Sequence, residues 1–294
     1  MREYQSCELC MRRCAVNRTQ GELGYCKSRD VMHICRIAPH MWEEPIISGA
    51  RGSGTVFFSG CSLGCVYCQN VEISRSEVGV AMTPEQLSDR LLEIAKLGVH
   101  NINFVTPTHY APSVIKTVEF AKDKGLSLPI VYNTGTYDTQ QTVKMLEGTV
   151  DVYLPDLKYY LSKTAKAYSF AENYPKAARS AICEMVKQSG KAFVEDGLIK
   201  RGVVVRILLL PSHLAEAKLS LKYLYTEYGD DIYISLMNQY TPMNNMQKPL
   251  DRRVTRAEYR ELCEYALSLG VKNAFMQELG TASSDYIPEF DMIK

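Results

Sequence analysis

From residue 50 onward the chain alternates short β-branched or aromatic runs with longer stretches of helical periodicity, and few folds accept that order. TVFFSG (55–60), NINFVT (101–106), LPIVYN (128–133), VDVYL (150–154), GVVVRILLL (202–210), DIYISLM (231–237) and NAFMQ (273–277) read as strands. Between them, TPEQLSDRLLEIAKLG (83–98) predicts a helix: Thr83 caps it, Pro84 takes the first turn, Gln86 completes a capping box and Gly98 stops it. Its apolar face is Leu87, Leu91, Ile94 and Ala95. Helices are also expected from Pro112 to Lys124, up to Leu146, up to Gly190, from Ala215 to Tyr228, and from Thr255 to Gly270 with a second capping box to Glu258. The 202–210 run is apolar enough to be buried on both faces. Strands separated by helices of this length imply a parallel α/β sheet. Such a sheet is either open and doubly wound or curved into a barrel; a full barrel needs eight units and fewer are present, so the expected fold is a partial (β/α)6 TIM-type barrel. Ligands bind such sheets at the C-terminal strand ends, which directs attention to CSLGCVYCQN, TPTHY, NTGTY, PDLKY and NQYTP. The first 50 residues do not follow the alternation. The expected division is a cysteine-rich lead-in, 1–50, and a barrel domain, 51–294.

The 294 residues include ten cysteines. No apolar stretch is long enough to span a membrane, and no apolar signal core opens the chain. The net charge of +1 argues against a bulk basic field for nucleic acid. The expected setting is therefore cytoplasmic, where cysteines serve as metal ligands or reactive thiols more than as bridges. Cys35, Cys183 and Cys263 stand apart from the two clusters and read as packed thiols.

Cys61, Cys65 and Cys68 form a CxxxCxxC spacing directly after the first strand of the alternation. Cubane iron–sulfur clusters take thiolates, usually four. Three leave one iron open, as catalytic zinc sites keep an open position. The alternative is a zinc knuckle or unligated buried thiols. On these residues, and on CELCMRRCAVNRTQGELGYC, PHMWEEPIISGARGSGTVFFSGCSLGCVYCQN, HNINFVTPTHY, PIVYNTGTY, VDVYLPDLKY and ISLMNQYTP, the sequence resembles the radical S-adenosylmethionine (SAM) superfamily, and within it the pyruvate formate-lyase activating enzyme-like proteins. The resemblance covers essentially the whole chain. It implies the radical SAM fold and a [4Fe–4S] cluster on Cys61, Cys65 and Cys68, with SAM chelated at the open iron. It also implies reductive cleavage of SAM to a 5′-deoxyadenosyl radical, which abstracts a hydrogen atom from the substrate. An electron donor such as flavodoxin or ferredoxin is implied with it.

The resemblance assigns SAM contacts position by position. Tyr67 lies where an aromatic packs near adenine. Thr106, Thr108 and His109 stand where relatives often carry Gly-Gly-Glu at the SAM amine, although the glycines are absent here. Asn133 and Thr134 occupy the end of the third strand, where activating enzymes carry an acid before Thr; that exchange puts a monovalent-cation site in doubt. Asp156 and Lys158 match an Asp-x-Lys, with Lys158 to neutralise the SAM carboxylate. Arg206, in the middle of an apolar strand, must have a partner because a buried unpaired guanidinium is very costly. The resemblance implies SAM as that partner; a structural ion pair to Asp156 is the other reading. Gln239 lies where activating enzymes place a His.

Cys7, Cys10, Cys14 and Cys26 form a second cluster, with Gly21 and Gly24 allowing the turns that bring Cys26 back. Four thiolates suit zinc, and equally a second [4Fe–4S] cluster. Three functions stay open: activation of a glycyl radical enzyme, modification of a peptide or small molecule, and a non-catalytic iron–sulfur or zinc protein.

Overall fold

The computed structural model describes residues 1–243 and 245–277, so the last part of the 51–294 segment lies outside the described residues. Ten strands run through the described residues: β1 (Met32–His40), β2 (Ser53–Phe58), β3 (Val80–Met82), β4 (Ile102–Val105), β5 (Ile130–Thr134), β6 (Val152–Pro155), β7 (Phe193–Glu195), β8 (Leu198–Leu208), β9 (Tyr233–Met237) and β10 (Ala274–Met276). They form one sheet in the order β10-β9-β8-β6-β5-β4-β2-β1-β3, with β7 added to β8. From β2 to β10 the path is parallel. The β1 strand is antiparallel to both β2 and β3. The ends of the path, β10 and β3, do not pair, so the barrel stays open.

Each expected strand is present within a few residues. The largest shift is β8, which starts at Leu198 because its first residues pair with β7. The β1, β3 and β7 strands go beyond the expected alternation. The β3 and β7 strands are three residues each, too short to show a period. Both expected capping boxes are present, at Thr83 with Gln86 and at Thr255 with Glu258.

Packing explains the apolar pattern of the central strands. On one face Tyr132, Tyr153, Val203 and Val205 meet Ile182, Leu221 and Leu262 of the outer helices Tyr174–Ser189, Leu214–Tyr228 and Arg256–Leu269. Their chain neighbours Val131, Val152, Leu154 and Val204 point the other way, against Ile46 and Ile47 of the short helix Pro45–Ser48. Both faces are therefore dry, and the strand ends are the place left for polar groups. A second core joins Val56 and Phe104 to Leu87, Leu91 and Val118.

Of the isolated cysteines, Cys35 is buried and Cys263 partly so, but Cys183 is exposed. On its helix Ala178, Ala181, Ile182 and Met185 turn inward, and a 100° step carries position 183 off that face. Apolar neighbours in sequence did not imply an apolar surrounding there.

Candidate active site

Strand β2 ends at Phe58 and is followed by the cysteine loop. Cys61, Cys65 and Cys68 all line one cavity of about 240 Å³ at the C-terminal strand ends. The loop needs left-handed turns at Gly60 (φ 87°) and Gly64 (φ 76°), which glycine adopts without steric cost. The guanidinium of Arg12 donates to the carbonyls of Ser62 and Leu63 inside the loop, and the Tyr25 hydroxyl donates to Leu63 as well. The lead-in thus holds the loop in place.

The sulfurs receive protein donors. The Leu63 N–H reaches Cys61 Sγ at 3.4 Å, and the Ser169 hydroxyl reaches Cys65 Sγ at 2.9 Å. Burial pushes the Cys61 thiol up to about 11, with Cys65 and Cys68 adding to it. Three thiolates gathered here need a positive partner, and iron supplies one. The donor set therefore fits the cluster that the family resemblance implies. Among the described residues no three His, Cys, Asp or Glu side chains are gathered to hold a single metal ion. A cubane spreads its thiolates over separate irons, so the trio has no need to converge in that way.

Along the same cavity runs a chain of alternating charge. Lys158 Nζ donates to Asp156 Oδ2 at 2.7 Å, and Arg206 Nε donates to Asp156 Oδ1 at 2.6 Å. Arg206 also donates to Glu43 Oε2 at 3.2 Å and to Asn133 Oδ1 at 2.7 Å. Glu43 in turn accepts from the Asn103 and Asn133 amides. Burial opposes the charge on Asp156, but Arg206 and then Lys158 outweigh it and hold its carboxyl below the usual range. Burial likewise opposes the charge on Lys158, and Asp156 overcomes it. Arg206 thus pairs with Asp156 and Glu43 while also lining the cavity. Among the described residues Lys158 has a single protein acceptor, Asp156, and lines the same cavity.

Of the residues assigned by resemblance, Tyr67, Thr106, Thr108, Asn133, Asp156, Lys158, Arg206 and Gln239 all line this cavity. Tyr67 lies edge-on to Tyr159, Tyr168 and Tyr240, and accepts from the Tyr159 hydroxyl at 2.8 Å. Thr134 and His109 do not line it. Thr134 donates to the buried carboxylate of Asp138 at 2.7 Å, behind the wall. His109 lies beside Cys7, Cys10, Cys14 and Cys26, its Nε2 at 2.7 Å from the Ser59 carbonyl. The segment after β4 starts a tight turn at Thr108–Tyr110, which sends successive side chains to different sides.

Sequence reasoning missed Glu43, His40 and Trp42, which line the cavity from the end of β1 and the turn after it. The signal was an acidic pair beside the lone tryptophan in HMWEEP, with no ligand spacing to single it out.

Next to Glu43, the buried Glu44 has no partner at Oε2, and burial, against the opposing pull of Arg206, raises its carboxyl to about 7. An unfolded glutamate titrates near about 4.3. Between those values the folded chain holds the extra proton, so this residue's contribution to stability falls as pH rises through that window. Glu44→Gln should therefore raise Tm at pH 8 by roughly 3 °C and change it little at pH 4, read by thermal unfolding across pH.

Comparison with known proteins agrees with this arrangement. The family profile described as the Radical SAM superfamily matches residues 55–224. An uncharacterized protein of Methanocaldococcus jannaschii is 28% identical over 273 residues, covering 90% of this chain and 75% of the relative. Among solved structures, a radical SAM methyltransferase from Sphaerobacter thermophilus superposes with a TM-score of 0.56 at 14% identity, over 79% of this chain and 68% of that one. SuiB of Streptococcus suis, bound to S-adenosylmethionine, superposes with a TM-score of 0.51 at 14% identity, over 75% of this chain but 48% of its own length. The profile spans more than half of the residues and includes the cysteine loop, β4 to β6 and β8. This chain belongs to the radical SAM superfamily.

Proposed function

We propose that the protein is a radical SAM enzyme that abstracts a hydrogen atom from a polypeptide segment entering the cavity at the strand ends. The observation that carries this reading is one cavity joining three thiols, an ion-paired wall, and Trp42, Gln69, Asn70 and Gln239. Trp42 is 61% exposed, although large aromatics are mostly buried. Amide side chains offer both a donor and an acceptor, which match a peptide backbone. Two neighbours in fold support the class of substrate: SuiB with the precursor peptide SuiA, and anSMEcpe with AdoMet and the Cp18Cys peptide. Activation of a glycyl radical enzyme is the special case in which the segment presents a glycine.

When bound, the cluster and SAM supply one-electron cleavage of the sulfonium and a carbon radical that takes hydrogen from the substrate. The protein's own groups prepare that step. Cys61, Cys65 and Cys68 hold the cluster as thiolates. Lys158, held by Asp156, would neutralise the SAM carboxylate, the Thr106 and Thr108 hydroxyls would accept from its amine, and Tyr67, beside Tyr159 and Tyr240, would pack near its adenine. A flavodoxin- or ferredoxin-type protein provides the electron.

The test is anaerobic: the reconstituted, reduced protein is given SAM and a peptide fraction carrying deuterium at carbon. 5′-Deoxyadenosine should form, and deuterium should appear in it. Absence of 5′-deoxyadenosine above background with an intact cluster overturns the enzyme reading. Label arriving only from small-molecule fractions overturns the polypeptide reading.

A further inference from the structure

The first 31 residues contain only two short 3-10 turns, Arg2–Tyr4 and Arg18–Gln20, yet they are closely wound. Cys7 and Val16 pair through the Cys7 N–H, and the Ala15 N–H returns to the Cys7 carbonyl, both at 3.0 Å. Their apolar core is Tyr4, Cys7 and Leu9 with Val16 against it. The stretch also docks on the barrel, through the Met11 N–H to the Tyr137 carbonyl and the Thr142 hydroxyl to the Leu9 carbonyl. All ten cysteines are free thiols.

Cys7, Cys10, Cys14 and Cys26 line one small cavity, together with Arg18 and His109. Arg18 is 1% exposed, and its Nη1 lies 3.7 Å from Cys7 Sγ. The Tyr25 N–H points at Cys14 Sγ, 3.4 Å away. The guanidinium also donates to the carbonyls of Arg29 and His109 and stacks on Tyr4, so it holds a fixed positive charge against the thiols. His109 adds a separate observation. Its Nε2 contacts a carbonyl, which only accepts, so Nε2 carries the proton. The bare Nδ1 is buried with no partner. A buried ring nitrogen with no partner, in the lining of a cavity with four thiols, points to a group that occupies that cavity.

We propose that this cavity holds a second [4Fe–4S] cluster on Cys7, Cys10, Cys14 and Cys26, with Arg18 compensating its charge and the His109 imidazole beside it. Like Cys61, Cys65 and Cys68, these sulfurs are not gathered for a single ion among the described residues, and the iron and sulfide count decides between cluster and zinc. The site lies directly behind the catalytic loop: a Cβ on Gly60 would stand 2.7 Å from the Cys26 carbonyl, and Cys61 is the next residue.

The experiment uses the full chain with Cys61, Cys65 and Cys68 all changed to Ala, reconstituted anaerobically with iron and sulfide. This variant should retain about four iron and four sulfide per chain, against about eight of each in the unchanged protein. Reduced, it should give a cluster EPR signal, and adding His109→Ala should shift its g-values. Adding Cys10→Ser and Cys26→Ser should remove the iron. A triple variant that binds no iron, that carries one zinc and no sulfide, or whose four thiols are found as disulfides overturns the proposal. The readout is independent of SAM cleavage, so it stands or falls apart from the function proposed above.

Discussion

Cys65→Ala should reduce SAM cleavage to background and remove the iron bound at the strand ends. The triad has no spare ligand: it supplies three thiolates, and Cys7, Cys10, Cys14 and Cys26 line a different cavity. Cys65 is the most buried of the three and takes the Ser169 hydroxyl at 2.9 Å. Removing one small buried thiol costs stability only on the order of 1 kcal/mol. The variant should therefore keep the circular dichroism of the parent while losing 5′-deoxyadenosine formation. Unaffected turnover would contradict the assignment of Cys65 as a ligand. If fold and activity were lost together, Cys68→Ala, at a less buried position, becomes the deciding variant, and its unaffected turnover would contradict the three-thiolate ligand set in the same way.

The second large effect is expected at Asp156. Its carboxylate bridges Lys158 and Arg206, with both cations largely removed from water. Removing one member of a buried ionic network leaves uncompensated charge, typically at about 3–5 kcal/mol. Asp156→Asn should therefore destabilise the fold by about that much, measured by denaturant unfolding, and abolish SAM binding. Lys158→Met makes the contrast. Asp156 then keeps Arg206, so the fold should hold, while a charge-assisted hydrogen bond to the ligand is lost. SAM affinity should fall by roughly 10–100-fold, read by calorimetry. Equal destabilisation by both variants would show that Lys158 serves the fold rather than the ligand.

How far the sequence carried depends on whether a feature is local. The capping boxes at Thr83 and Thr255 involve residues three apart, and both formed as read. The parallel strands have strong local patterns, and their expected ends fell close to the observed ones. The CxxxCxxC loop is local too, and its three cysteines meet in one cavity. His109 shows the limit. Its neighbour Thr108 faces the cavity at the strand ends, but the turn between them sends His109 toward the N-terminal cysteines. No one-dimensional pattern distinguishes two adjacent polar residues on a 3-10 turn.

Arg206 shows the same limit in energetic terms. Its place in an apolar strand established that it needs a partner, because desolvating a lone guanidinium is prohibitive. Which partner it takes depended on distant chain: Asp156 is 50 residues away and Glu43 is 163 away. The sequence by itself determined the class: an open α/β barrel whose first loop presents three thiols, since periodicity and short spacings are written in consecutive residues. Only the tertiary structure decided that Arg206 pairs with Asp156 and Glu43, that Glu43 joins the cavity wall, and that His109 lies with Cys7, Cys10, Cys14 and Cys26. Those outcomes are set by burial and by pairing between remote segments, where the cost of an unmatched charge selects the partner.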